Sequence, residues 1–194
     1  MAFSSSPDLL TLHAVRLNGF AADAAIARRF ELDVEDTRVR LEKYAADGLV
    51  GFSSFADVSG WSLTEAGRQT NEAQLRDELD LAGAREQVSV IHDQFLPRNA
   101  IVSAACSAVQ LDPGPGTYES CWQDLSSVAE QLRGLEQRLS GHLSRFAGYH
   151  GRFATALFKA DDDPTWFTGT EVDSCHRVWF EFHEDLIATL GLSR

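Results

Sequence analysis

The sequence predicts a mainly α-helical protein, with one two-stranded hairpin late in its first third and helices alone beyond it. Three observations carry that expectation. Apolar residues recur at three- and four-residue steps along most of the chain, as they do on one face of an amphipathic helix. Two short apolar runs, Leu49-Val50-Gly51-Phe52 and Trp61-Ser62-Leu63, read instead as strands on either side of a polar turn region, Ser53 to Gly60. Breakers separate the segments, the clearest being Pro113-Gly114-Pro115-Gly116.

The elements follow in order. Ser6-Pro7-Asp8 has a cap residue, a proline suited to the first helical position and an acid at the positive end of the helix dipole. Leu10, His13, Ala14 and Leu17 then repeat at helical spacing, and Gly19 ends the helix. A second helix covers about Ala22 to Phe30, with Ile26 and Phe30 turned inward. After the short turn Glu31-Leu32-Asp33, Asp33 caps a third helix, with Asp36 three places on in a loose capping box. That helix runs from about Val34 to Asp47, buries Leu41, Tyr44 and Ala45, and stops at Gly48. The two strands come next, and Thr64 caps a fourth helix that opens Glu65-Ala66-Gly67-Arg68.

Helix, helix, tight turn, helix and hairpin is the winged helix-turn-helix order. The segments Ala27-Arg28-Arg29-Phe30-Glu31-Leu32, Leu41 to Val50 and Gly60-Trp61-Ser62-Leu63-Thr64-Glu65-Ala66-Gly67-Arg68 carry a likeness. This third of the chain resembles the MarR-type winged-helix regulators of transcription. The resemblance implies that the third helix enters the major groove of double-stranded DNA. Its outward positions here are Glu35, Asp36, Arg38, Val39, Arg40 and Lys43. Arg38 has the fork to read a guanine edge, Asp36 can accept from a cytosine amine, and Arg40 and Lys43 suit phosphates. Arg28, Arg29 and Arg68 are further phosphate candidates. The family usually carries Arg or Lys at the wing tip, whereas Gly51 to Leu63 holds neither, its one charge being Asp57.

From Glu65 onward the reading is helical. One long helix is expected from Glu65 to near Asp93 and another from about Arg98 to Gln110. Tyr118 to about Ala160 carries the strongest stripe, Val128, Leu132, Leu135, Leu139, Leu143 and Phe146, as one bent helix or two. After Asp161-Asp162-Asp163-Pro164, a last helix starts near Asp173-Ser174, buries Val178, Trp179, Phe182, Leu186 and Leu190, and ends at Gly191.

The chain of 194 residues divides in this reading into a DNA-binding domain over 1–75 and a helical domain over 76–194. Helical tails of such regulators pair two copies and bind effectors, and this tail is longer than pairing alone needs. Between helices, Trp122, Tyr149, Phe153 and Trp179, with His176 and His183, are candidates for a small-molecule pocket. Core packing is the competing reading for each of them. His176, His183 and Glu184 share a helix face but span about 10 Å of helix axis, so no metal is expected there.

Composition excludes several classes. Apolar residues are 44% of the chain, enough for a core, and the three cysteines lack any CxxC pair, so zinc-finger and disulfide scaffolds are excluded and a reducing cytoplasm is expected. No run is long enough for a membrane span, and no secretory signal pattern opens the chain. No G-x-S-x-G elbow, phosphate loop or dinucleotide fingerprint occurs, so neither an enzyme nor a cofactor is expected. The net charge of −12 is unfavourable for DNA, and neither half is basic. The expected function is a homodimeric, ligand-responsive DNA-binding regulator. The alternative is a winged-helix module for protein or ligand contacts that does not bind DNA, motivated by the acidic charge and the wing without Lys or Arg.

Overall fold

The computed structural model describes residues 2–56 and 58–192. It is mainly helical, with one two-stranded antiparallel sheet after three N-terminal helices. Two compact units are formed, one from Phe3–Gly83 with the chain from Ile187 onward, the other from Ala84–Leu186.

The N-terminal unit opens with α1, Pro7–Asn18, whose first turn is closed by the Ser6 hydroxyl accepting from the Leu9 amide at 3.2 Å. Gly19, at φ 72°, ends it. Helix α2, Asp23–Arg29, and α3, Val34–Ala46, are joined by a tight turn in which Glu31 takes a left-handed φ of 54°. The Asp33 carboxylate caps α3 by accepting from the Asp36 amide at 2.9 Å. Leu12, Val15, Ile26, Leu41, Tyr44, Val50 and Trp61 close the core of these helices and the hairpin.

Strand β1, Val50–Phe55, pairs with β2, Val58–Leu63, with Phe52 opposite Trp61. Both strands are longer than the sequence suggests, because Ser53, Ser54, Ser59 and Gly60 continue the ladder instead of forming a polar turn. The far edge of β2 is tied to the chain between α1 and α2: Trp61 and Ala21 exchange backbone hydrogen bonds at 2.8 and 3.2 Å. Gly60 is needed for that approach, since a Cβ there would sit 2.8 Å from the Ala21 backbone.

Helix α4, Glu65–Leu81, begins at the Thr64 cap, whose hydroxyl accepts from the Gly67 amide at 3.0 Å. The single helix expected from Glu65 to Asp93 is two. Gly83 adopts φ 58° just past α4, a left-handed stop that only glycine takes without strain. The next helix, α5, runs from Arg85 to Leu111 straight through Pro97, where the sequence suggests a break. Pro97 lies on the exposed side of α5, while Val88, Ile91, Phe95, Val102, Ala105, Cys106 and Val109 are buried along the other. Burial of that continuous face outweighs the one backbone bond a proline removes. Beside it, the Arg98 guanidinium donates to the Gln94 carbonyl.

In the second unit α6, Pro115–Ser140, packs on α5 with Leu125, Val128, Leu132, Leu135 and Leu139 inward. A short 3-10 turn, Ser144–Phe146, leads to α7, Tyr149–Ala160, so the Tyr118-to-Ala160 stripe is two helices. The Glu136 carboxylate of α6 caps α7 from outside, accepting from the Gly148 amide at 3.0 Å and from the His150 amide. A single turn α8, Thr165–Thr168, precedes α9, Cys175–Leu190. Among the described residues no helix is long and apolar enough to cross a membrane.

Candidate functional site

Helix α3 is anchored by one face and open on the other. Thr37, Leu41 and Tyr44 are buried, and the Tyr44 hydroxyl donates to the Asp8 carbonyl of α1 at 3.0 Å. Glu35, Asp36, Arg38, Val39, Glu42 and Lys43 are exposed. The face that would meet DNA therefore mixes three acids with two cations.

Those cations are held differently. Arg38 is ion-paired to Glu35 one turn back, and that bond and the Glu35 charge raise its pKa above the ordinary arginine value. Arg40 is turned toward α1, with Nε 3.2 Å from an Asp8 carboxylate oxygen, and is largely covered. Lys43 is exposed, as are Arg28 on α2 and Arg68 on α4. The Arg29 guanidinium lies over the Phe30 ring at 4.4 Å. Asp36 keeps an exposed side chain while its amide is used by the Asp33 cap.

The hairpin carries a feature the sequence reading missed. Phe52, Phe55 and Val58 are exposed apolar side chains on it, Phe55 by 73%. Phe52 rests edge-on against Trp61, ring centroids 4.9 Å apart, and Trp61 Nε1 donates to the Asp23 carboxylate of α2 at 2.6 Å. The signal was present: Phe55 and Val58 interrupt a segment otherwise polar. Asp57, the one charge noted in this stretch, lies outside the described residues.

The helical unit gathers three of the six ligand candidates into packed core. Tyr149, Phe153 and Trp179 are buried around Phe95 and Phe182. Phe95 stacks on Trp179 at 4.8 Å, Tyr149 meets Phe182 at 4.9 Å and Phe153 meets Trp179 at 5.7 Å. Their polar atoms are engaged as well: Trp179 Nε1 donates to Asn99 Oδ1 at 3.0 Å, and the Tyr149 hydroxyl donates to Asp185 at 2.8 Å. His183 stacks against His92 and Phe95, while His176 and Trp122 are half-buried elsewhere.

A cleft of about 270 Å³ opens along α7 instead, lined by Gly151, Arg152, Thr155, Lys159, Trp166 and Asp173 and by none of those six residues. Its cations have protein partners. Arg152 donates twice to Asp173, at 2.8 and 2.6 Å, and once to the buried Glu181 at 2.7 Å. Lys159 stands over the Trp166 ring at 3.8 Å. Burial pushes the Cys106 and Cys175 thiols up to about 12, and raises the Cys121 thiol, so all three are protonated at neutral pH. Among the described residues no three metal-ligating side chains come together. No family model, curated protein or solved structure matches the chain.

Proposed function

We propose that the chain is a winged helix-turn-helix regulator of transcription that reads double-stranded DNA with α3. One observation carries the reading: α3 is fixed through Thr37, Leu41 and Tyr44 and presents Arg38, Val39 and Lys43 outward, after a capped tight turn and before a hairpin. Arg38 does not have to stay on Glu35. Their bond is exposed, and exposed pairs of this kind contribute little. A base edge or phosphate competes for the guanidinium. Two copies would bind through the helical unit, and a small-molecule effector would act by favouring one of two states.

The test is a salt titration of binding to DNA from around the protein's own gene. If about five phosphates are touched, the logarithm of the affinity falls with the logarithm of salt at a slope of about −4 to −5. No salt-sensitive binding at low ionic strength refutes the reading.

The exposed Phe52, Phe55 and Val58 favour a second reading, in which the hairpin meets a protein surface and the module does not hold DNA. The salt titration separates the two: salt-sensitive binding to DNA by the wild type supports the first reading, and its absence leaves the second, under which replacing Phe55 and Val58 by Ser weakens the protein contact.

A further inference from the structure

We propose that the cleft along α7 is a binding site for a small organic monocarboxylate, held by Lys159 and Arg152. Gly151, Thr155 and Lys159 follow one another at four-residue steps and so share one face of α7. Trp166 of α8 and Asp173, just ahead of α9, line the rest of the cleft, all within the helical unit. At about 270 Å³ it falls just under the roughly 300–1,000 Å³ of pockets for drug-sized ligands, so its occupant is small.

The donors left over select an anion. A guanidinium has five N–H groups. Arg152 spends three of them, two on Asp173 and one on Glu181, which leaves one on each terminal nitrogen. Lys159 has the Trp166 ring against its ammonium at 3.8 Å, and among the described residues no carboxylate pairs with it. A ring attracts the charge, but it offers no oxygen to the three N–H groups of the ammonium. A cation without a carboxylate is unexpected in a chain with 29 acids to 17 Lys and Arg. Asp173, the one acid in the lining, already has both oxygens on Arg152, so a cationic ligand finds less to bind.

One negative charge is the limit. Asp161, Asp162 and Asp163 follow closely on Lys159, and although none of them lines the cleft, they repel a second charge brought to that end of α7. The floor is bare backbone. Neither a positive φ nor a close neighbour calls for glycine at 151, where a Cβ would meet nothing within 4 Å. That open strip, with the Trp166 ring, receives the apolar part of the ligand. The Thr155 hydroxyl is spent on the Gly151 carbonyl at 2.7 Å, so recognition of the carboxylate falls to the two cations. This inference rests on the effector part of the proposed function and not on DNA binding. Its test contains no DNA, so the two fail separately.

The experiment titrates the full chain with benzoate at constant ionic strength and follows the amide and indole N–H signals by nuclear magnetic resonance. Benzyl alcohol and benzylammonium are the neutral and cationic controls. Benzoate is expected to shift the signals of Arg152, Thr155, Lys159 and Trp166, and the controls are not. Lys159→Gln, at an exposed position, is expected to weaken binding about ten-fold or more. Gly151→Leu fills the cleft and is expected to abolish binding. The absence of benzoate shifts up to millimolar concentration, shifts centred elsewhere, or equal binding of either control overturns the inference. Unchanged affinity in Lys159→Gln overturns it too. Should Gly151→Leu fail to fold, Lys159→Gln and the two control ligands decide.

Discussion

Arg145 and Asp185 form an ion pair with both side chains wholly removed from solvent. Arg145 comes from the 3-10 turn before α7 and Asp185 from α9, and the second carboxylate oxygen accepts from the Tyr149 hydroxyl at 2.8 Å. The guanidinium also lies over the Phe146 ring at 4.5 Å. Burial of two charges is costly, and the pair repays it only while both members are present. Asp185→Leu is therefore expected to destabilise the protein by about 3–5 kcal/mol, because it removes the carboxylate paired with a buried cation. The double change Arg145→Met with Asp185→Leu is expected to lose much less than the sum of the two single changes. Urea unfolding of the three variants measures this, and additive losses would show that the two groups act independently.

Gly67 sits at the junction of hairpin and α4, where a Cβ would fall 1.9 Å from the Leu49 carbonyl oxygen. Thr64 fastens the same corner by donating to the Gly48 carbonyl at 2.7 Å. Gly67→Ala must displace backbone, so its cost is expected to reach or exceed the roughly 1–3 kcal/mol typical of overpacking. Gly116→Ala, with open space at its Cβ, is the control and is expected to be near neutral. Equal stabilities of the two variants in urea would contradict the contact.

The N-terminal elements were legible because their signals are short-range. Ser6 to the Leu9 amide, Asp33 to the Asp36 amide and Thr64 to the Gly67 amide are each bonds across three residues, and each is written as a cap pattern. The Val128-to-Leu139 part of the stripe is legible for the same reason, since period alone marks a buried helix face, whereas Leu143 and Phe146 lie past the end of α6. What was not legible depends on distant partners. Pro97 reads as a breaker until the buried face of α5 on both sides of it is known. Asp8 and Arg40 lie 32 positions apart in sequence, so nothing local tells that this arginine turns toward α1. Tyr149, Phe153 and Trp179 suit a pocket or a core equally by residue type. Their neighbours decide, and here those neighbours are other rings.

The buried thiols make stability fall at alkaline pH. Burial raises Cys106 and Cys175 from the ordinary 9.0 to about 12. Between those values the unfolded chain has released thiol protons that the native chain still binds. The stabilising contribution is thus complete below about pH 9 and is lost as pH rises toward 12, with a slope of about 1.4 kcal/mol per pH unit for each thiol. Tyr44, pushed to about 12 by burial and by the Asp8 charge, adds to the upper part of that window. Urea midpoints measured from neutral to alkaline pH should decline in the wild type and decline less steeply in Cys106→Ala with Cys175→Ala. Identical slopes would remove the thiols from the account.

Under the proposed reading, the bond between Glu35 and Arg38 governs how α3 would approach DNA. Glu35 holds the guanidinium one turn back along its own helix and leaves a negative charge where phosphates or base edges would come. Arg38→Ala is expected to cost about 1–3 kcal/mol on a specific site if the side chain reads a base. Lys43→Ala, at an exposed position of the same helix, is expected to weaken all sequences alike and to lower the magnitude of the salt slope by about 1 if the side chain meets a phosphate. Glu35→Gln has the opposite sign: it removes a repelling charge and releases Arg38, so affinity rises, most at low salt where charge is least screened. Fluorescence anisotropy on one labelled duplex at several salt concentrations reads all three variants. A Glu35→Gln protein that binds no better than wild type, beside an Arg38→Ala protein that binds no worse, would remove α3 from the contact with DNA.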